Sequence, residues 1–518
     1  MDTNSTLSHP ETQDQVPFKD YLLKNRWNRS VLLIAAIVAI VQISVFKYIY
    51  PFASYIHGDS FVYLNTAYYN KSINTYMIGY SMFLRIFSVF TTSDTALTAF
   101  QYLLVEASSL LLLFTLFYFY KIYKTTKFIL LVFMVFNPLF LYMGNLVSSD
   151  VLFLALSLIW ITLLLWIIHR PSLRLIIWHT VVLYIAFTVR YNALIYLVIA
   201  AVAFIVSQQS TRMKVMGIGT ATLAIGLFVL NTGNHYKTLT GIWQYSPFAG
   251  WQWANNAMYA YRYVDSASRK PVPLKFQALD NNIRRYFDSS RDVKKYPSEA
   301  LMASTFYMWS SSMPLYNYRN GLFKKDTTVS ELKKWAAMGP LYKEYGQYII
   351  RQYPWEFVRY FLWPNTIKYY APPLEFLEQY NSGKDDVAPI AKQWFHYKTR
   401  KVYTKAKNLE NEMLGVYPVL SGTINVVMLI GLLSFLLLGG LRQVQSFRAG
   451  ILLGTTVWVL NAGFTIFASS AALRFQAFPF VLSTVYAAML VDWIWKMASV
   501  KAETKDAPIN INNTSYVV

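Results

Sequence analysis

Apolar residues along this chain gather in unbroken runs and do not alternate with polar ones. Residues 31–46 (VLLIAAIVAIVQISVF) and 151–168 (VLFLALSLIWITLLLWII) contain no charged side chain. At about 1.5 Å rise per residue, such runs approach the roughly 30 Å hydrocarbon core of a bilayer. Ten runs of this kind predict helices at about 31–49, 98–119, 127–145, 150–168, 174–189, 191–208, 214–231, 417–440, 448–468 and 475–496. A single one could be a buried helix of a large soluble protein; ten predict an all-α polytopic membrane protein. The fifth run is short, and Arg190 interrupts the fifth and sixth. The first 29 residues are polar and the first run ends without a small-residue cleavage site, so it is expected to stay as an uncleaved span.

Composition agrees: 55% of the 518 residues are hydrophobic and 14% charged, where soluble domains carry about a quarter. There is no cysteine, which excludes disulfides, thiolate nucleophiles and cysteine-held metals. The six histidines form no HExxH pair. No cofactor is expected, and a divalent cation held by carboxylates stays open. The net charge of +21 fits anionic lipid and phosphate, since no nucleic-acid module is present.

Lys and Arg are concentrated in alternate short connections. One side holds Lys19, Lys24, Arg26, Arg29, Lys121, Lys124, Lys127, Arg170, Arg174, Arg212, Lys214, Arg442, Arg448, Lys496, Lys501 and Lys505. The short connections of the other side hold Arg190 and Arg474 alone. The positive-inside rule then puts both termini in the cytoplasm and exports residues 50–97 and 232–416. The expected organisation is a cytoplasmic segment 1–30, a membrane module 31–231, an exported and mainly helical domain 232–416, membrane helices over 417–496 and a disordered cytoplasmic tail 497–518. Tyr348–Tyr370 (YIIRQYPWEFVRYFLWPNTIKYY) interleaves aromatic and basic residues, as helices lying at lipid headgroups do.

Candidate chemistry lies at the exported ends of the runs. In the first exported loop, His57-Gly58-Asp59-Ser60 precedes Tyr63; a carboxylate there can accept a proton from an acceptor hydroxyl or bond a sugar. It can equally cap a short helix after the glycine. Then come Gly79-Tyr80-Ser81-Met82-Phe83-Leu84, Gln101-Tyr102, Asn137-Pro138, Ser148-Ser149-Asp150, Arg190, Gly250-Trp251, Asn255-Asn256-Ala257 and Arg474-Phe475-Gln476-Ala477-Phe478-Pro479. Asn137-Pro138 predicts a kink within the third run.

This order resembles the polyprenyl-phosphate-sugar-dependent glycosyltransferases of the GT-C superfamily. The nearest branch is family 39-like, with protein O-mannosyltransferases and bacterial aminoarabinose transferases. Two positions depart from the branch: Ser81 stands where proline is usual, and Asp150 where glutamate is common. The resemblance implies an inverting glycosyltransferase in which Asp59 is the catalytic base and Asp150 a second acidic residue of the site. Arginine is the preferred partner for a departing lipid phosphate, which singles out Arg190 and Arg474, with Arg85 behind them, while Tyr63 and Tyr80 surround the cavity. The expected partners are a lipid-linked sugar donor, an acceptor lipid, glycan or protein, and membrane lipids, in a bacterial inner membrane. Two alternatives are a flippase for lipid-linked glycans and a non-catalytic binder of lipid phosphate. The topology makes a direct prediction: tags at Thr504 and within residues 281–300 should lie on opposite sides of the membrane. Protease access to both from one side would refute it.

Overall fold

The first apolar run is helical from Arg26 to Ile49 (α1), opened by Asn25, whose side chain accepts from the Asn28 amide. In the computed structural model Leu33, Ile34, Ile37, Ile40 and Val41 of α1 stay exposed. A stripe of aliphatic side chains left open on a long helix has lipid as its natural neighbour. The structure describes residues 16–289, 294–295, 297–326, 328–443 and 445–506.

The order continues with α2 (Asp59–Tyr68), α3 (Gly79–Ser88), α4 (Asp94–Phe119), α5 (Lys124–Val135), α6 (Pro138–Gly144), α7 (Ser149–His169), α8 (Leu173–Val189), α9 (Leu194–Val206) and α10 (Thr211–Thr240). Beyond these lie α11 (Pro247–Tyr261), α12 (Gly339–Gln352), α13 (Trp363–Tyr370), α14 (Tyr417–Leu437), α15 (Gln445–Ala468) and α16 (Leu473–Asp506), with shorter helices between. The fold is all-α. Among the described residues eight helical stretches are long and apolar enough to cross a membrane: Arg26–Ile49, Asp94–Phe119, Lys124–Gly144, Ser149–His169, Thr211–Thr240, Leu409–Leu437, Phe447–Ala468 and Leu473–Ser499.

The ten expected runs are all helical, but two fall short of a full span: Leu173–Val189 and Tyr191–Val206. The cause is local. Arg190 is extended (φ −149°, ψ 141°) and a 3₁₀ turn, Tyr191–Ala193, follows it, so α8 and α9 form a bent pair. The third run breaks at Asn137, whose side chain caps α6 through the Leu139 amide while Pro138 occupies its first turn.

Helices α7 and α16 form the centre of the bundle and are mostly buried; α1 and α10 lie outside with their apolar faces open. α7 packs on α4 and α8, and α16 packs on α14 and α15. α16 runs past the expected boundary at 496 to Asp506; the rest of the tail expected to be disordered lies outside the described residues.

The 232–416 segment is not one unit. α10 continues through the boundary at 231. A second core, from Tyr236 through Trp251, Tyr307 and Tyr342 to Phe361, is built on the crossing of α11 and α12. That crossing is tight because it is made by glycine: a Cβ at Gly250 would collide with the Gly339 carbonyl. Residues from Leu374 to Val402 instead return to the membrane-helix core. Around α13, Trp355, Trp363 and Ile367 are exposed while Phe357, Phe361 and Tyr369 are buried. That face has the aromatic make-up of a helix at the headgroup level.

Candidate functional site

Two loops bring the first carboxylate into place. Residues before α2 run beside those before α7: the Ser54 amide donates to the Asn145 carbonyl at 2.8 Å, and the Val147 amide to the Ser54 carbonyl at 3.0 Å. The chain then turns at Gly58, whose φ of 106° is open to glycine and strained for other residues, and α2 begins at Asp59. The N-cap position is Gly58, without a side-chain cap, and the Asp59 carboxylate is engaged away from the helix. Its Oδ1 accepts from the Tyr76 hydroxyl at 2.6 Å, and its Oδ2 accepts from Arg474 Nη2 at 3.0 Å. Burial, followed by the Asp59 charge, pushes the Tyr76 hydroxyl well above its ordinary range, so it stays protonated and donates.

Asp150 stands in the first turn of α7, behind the Ser148 cap. Its Oδ2 accepts from Ser148 Oγ at 2.6 Å and from Arg474 Nη1 at 3.1 Å, and its Oδ1 pairs with Arg190. The Asp150 side chain is 1% exposed, against 24% for Asp59. A helix N-terminus further favours the charge.

Arg474, at the start of α16, joins the two carboxylates. Its guanidinium lies 4.3 Å from the Phe475 ring and 4.9 Å from that of Phe376. Arg190 lies 4.7 Å from the same Phe475 ring. Cations over aromatic faces gain most where water is excluded. Phe376 adopts a φ of 65°, a left-handed conformation that costs about 1–2 kcal/mol for a side chain of this kind. The strap that carries it is anchored by the Leu473 amide, which donates to the Pro373 carbonyl at 2.8 Å.

These groups open onto a cavity of about 700 Å³, within the range of small-molecule sites. Asp59, Tyr63, Asp150, Arg190 and Arg474 line it. Tyr63 bonds Ser149 Oγ at 3.0 Å. Two of the expected residues lie elsewhere among the described ones. Tyr80 is fully buried behind Tyr63, 5.1 Å between ring centroids, and donates to Gln101. Arg85 is turned along α2 and donates to the Ala67 carbonyl; it is not part of the lining. The cavity adds residues that sequence reasoning missed as site residues: Tyr76, Gln252, Asn256, Trp309, Glu375 and Phe376. Burial raises the Glu375 carboxyl above its usual range, against the pull of Lys368. The signal for Glu375 was available as an acidic residue after two prolines, but within a segment expected to be an exported, membrane-associated domain apart from the site.

Among the described residues no group of three or more His, Cys, Asp or Glu side chains is gathered as for a metal ion. Arg474 stands between Asp59 and Asp150 and pairs with both.

No family model and no curated protein matches the sequence. Among solved structures the chain is similar to the archaeal oligosaccharyltransferase AglB from Archaeoglobus fulgidus, in complex with an inhibitory peptide and a dolichol-phosphate. The identity is 13% and the TM-score 0.40, over 95% of this chain and 53% of that one. The chain thus spans about half of that protein, and a likeness of this degree fixes no correspondence between residues.

The burial of the cluster sets a stability prediction. Asp150→Asn leaves two guanidinium groups without their shared anion, and removing one partner of a buried ionic group costs about 3–5 kcal/mol. Asp59→Asn, at the more open end, should cost far less. Thermal unfolding of the purified full chain in detergent should show a large drop in midpoint for the first variant and a small one for the second. Equal drops would contradict this division.

Proposed function

We propose that the protein is an inverting glycosyltransferase that takes its sugar from a polyprenyl-phosphate donor on the exported face of the membrane. The reading is carried by one observation: Asp59 and Arg474, 415 positions apart in the chain, meet at the wall of a single cavity. In this scheme the acceptor oxygen attacks the anomeric carbon as the bond from that carbon to the phosphate oxygen breaks. The acceptor's proton passes to Asp59, and the electron pair leaves with the lipid phosphate.

The two carboxylates suit different tasks. Asp59 is the more open, and each of its oxygens has a lone pair beyond the one taken by Tyr76 or Arg474. Asp150 is enclosed and accepts from two guanidinium groups and the Ser148 hydroxyl, so its part is to position the two arginines. These keep donors for an anion: a guanidinium has five N–H groups, and Arg474 Nε has no hydrogen-bond partner among the described residues. The acceptor class stays that of a hydroxyl-bearing lipid, glycan or protein.

Two ionisable side chains buried within apolar helices, Glu106 in α4 and His179 in α8, favour a transport reading, since such residues often mark a path across the bilayer. They sit on separate helices and neither lines the cavity, which leaves transfer the stronger reading.

The test is chemical. The purified protein, given a panel of polyprenyl-phosphate sugars and acceptors, should release sugar-free lipid phosphate. Asp59→Asn keeps the shape and loses the base, so turnover should fall by about 10²–10⁴-fold while donor binding persists. Full transfer by Asp59→Asn would exclude Asp59 as the base. Movement of intact donor across a vesicle membrane without release of lipid phosphate would establish the transport reading.

A further inference from the structure

The wall contributed by α11 carries an amide chain whose polarity is fixed from one end. Phe467 and Ala468, at the end of α15, present carbonyl oxygens, which only accept. Asn256 must therefore turn its Nδ2 to them, at 3.3 and 3.4 Å. Its Oδ1 then faces Gln252, one helical turn back, and accepts from Gln252 Nε2 at 2.6 Å. Asn255 Nδ2 donates to the same Oδ1 at 3.1 Å and to the Ser304 carbonyl at 2.9 Å, which confirms the sense of the chain. With its amino group committed, Gln252 is left with Oε1 as its free end. That oxygen has no hydrogen-bond partner among the described residues, on a side chain 6% exposed that lines the cavity.

A buried acceptor without a donor is costly and calls for an explanation. Packing does not give one, because an apolar side chain of the same size would fill this place more favourably. A ligand does, and the polarity specifies it: the oxygen selects an O–H or N–H donor and rejects an anion. The phosphate end of a lipid-linked donor is thereby assigned to the arginines. Thr305, Ser469 and Glu375 line the same cavity and extend the polar wall.

We infer that Gln252, held in register by Asn256, is a saccharide-hydroxyl subsite that reads the sugar and not its lipid carrier. The inference rests on the glycosyl-transfer reading. It adds a specificity residue on a wall that the charged cluster does not reach. The hydroxyl belongs to the donor sugar or to a saccharide acceptor, and the two are separable by experiment.

The experiment uses the full chain in lipid nanodiscs, with Gln252→Met to keep the volume and remove the amide. Binding is measured for undecaprenyl phosphate and for its mannosyl, glucosyl and arabinosyl esters, followed by transfer to a series of soluble saccharide acceptors. If the subsite reads the donor, the variant loses about two- to tenfold in affinity for the sugar it prefers, the scale of one neutral hydrogen bond, and keeps its affinity for undecaprenyl phosphate. If it reads the acceptor, both lipid affinities stay and KM for the saccharide rises by the same factor. Unchanged donor affinity together with unchanged acceptor KM would overturn the inference. So would equal loss for sugar-bearing and sugar-free lipid, since Gln252 would then support the cavity as a whole. Gln252→Ala, which only enlarges the cavity, gives the same discrimination if the methionine packs badly. Wild-type protein that binds none of the lipids would sink the glycosyl-transfer reading, whereas wild type that binds every ester no better than undecaprenyl phosphate, and uses saccharide acceptors with an unchanged KM in the variant, would sink the subsite alone.

Discussion

Arg474, with a side chain 6% exposed, sits between two carboxylates and pairs with both. A buried charge is tolerated when it is paired and its remaining donors and acceptors are met. Here the pairing draws on four separate parts of the chain: the start of α2, the N-terminus of α7, the C-terminus of α8 and the start of α16. A shift of any one by an ångström leaves a charge short of its partner. The cluster thus demands close register of elements whose apolar surfaces are indifferent to small sliding. Lipid-exposed helices lack the hydrophobic drive that sets register in water, so a few polar contacts carry that task.

α16 shows this constraint at both of its ends. Near its start Arg474 is bound by Asp59 and Asp150. Further along, Asp492 accepts from the Tyr123 amide at 3.0 Å, from Thr126 Oγ1 at 2.8 Å and from Lys496 at 2.6 Å. One helix is pinned by an arginine at one end and by an aspartate towards the other, with the apolar core of the bundle between. Moving it along its axis would break both sets at once.

The sequence made the helices legible because runs of apolar residues this long have few other uses. It made Asp59, Asp150, Arg190 and Arg474 conspicuous for a related reason, since charged residues are scarce at those helix ends and scarcity singles them out. The same criterion picked Arg85, which the structure spends on a backbone carbonyl of α2, because charge alone does not say which way a side chain turns. Tyr76 was hidden among 40 tyrosines. Gln252 was invisible because an unpaired amide oxygen is a property of three-dimensional neighbours. The strap with Glu375 and Phe376 falls in the stretch assigned to the exported, membrane-associated domain, and Leu374 and Leu377 beside them pack in the membrane-helix core; its proline pair and mixed polarity carry no periodicity that would show that contact.

How the end of α15 is held explains why these missed residues matter. A helix that stops at Ala468 and is followed by Arg474 leaves carbonyls that need donors. They are met from outside. Asn365 of α13 donates to the carbonyls of Thr465, Ile466 and Ser469 and accepts from the Ala471 amide at 3.0 Å. Asn256 of α11 donates to those of Phe467 and Ala468. Two asparagines on different elements thus complete the end of the helix, and the turn they border leads to Arg474 at the carboxylates. Asn256 belongs to both systems: through Nδ2 it sets the turn that aims the arginine, and through Oδ1 it sets the free oxygen of Gln252. The charged wall and the amide wall of the cavity are therefore one structure.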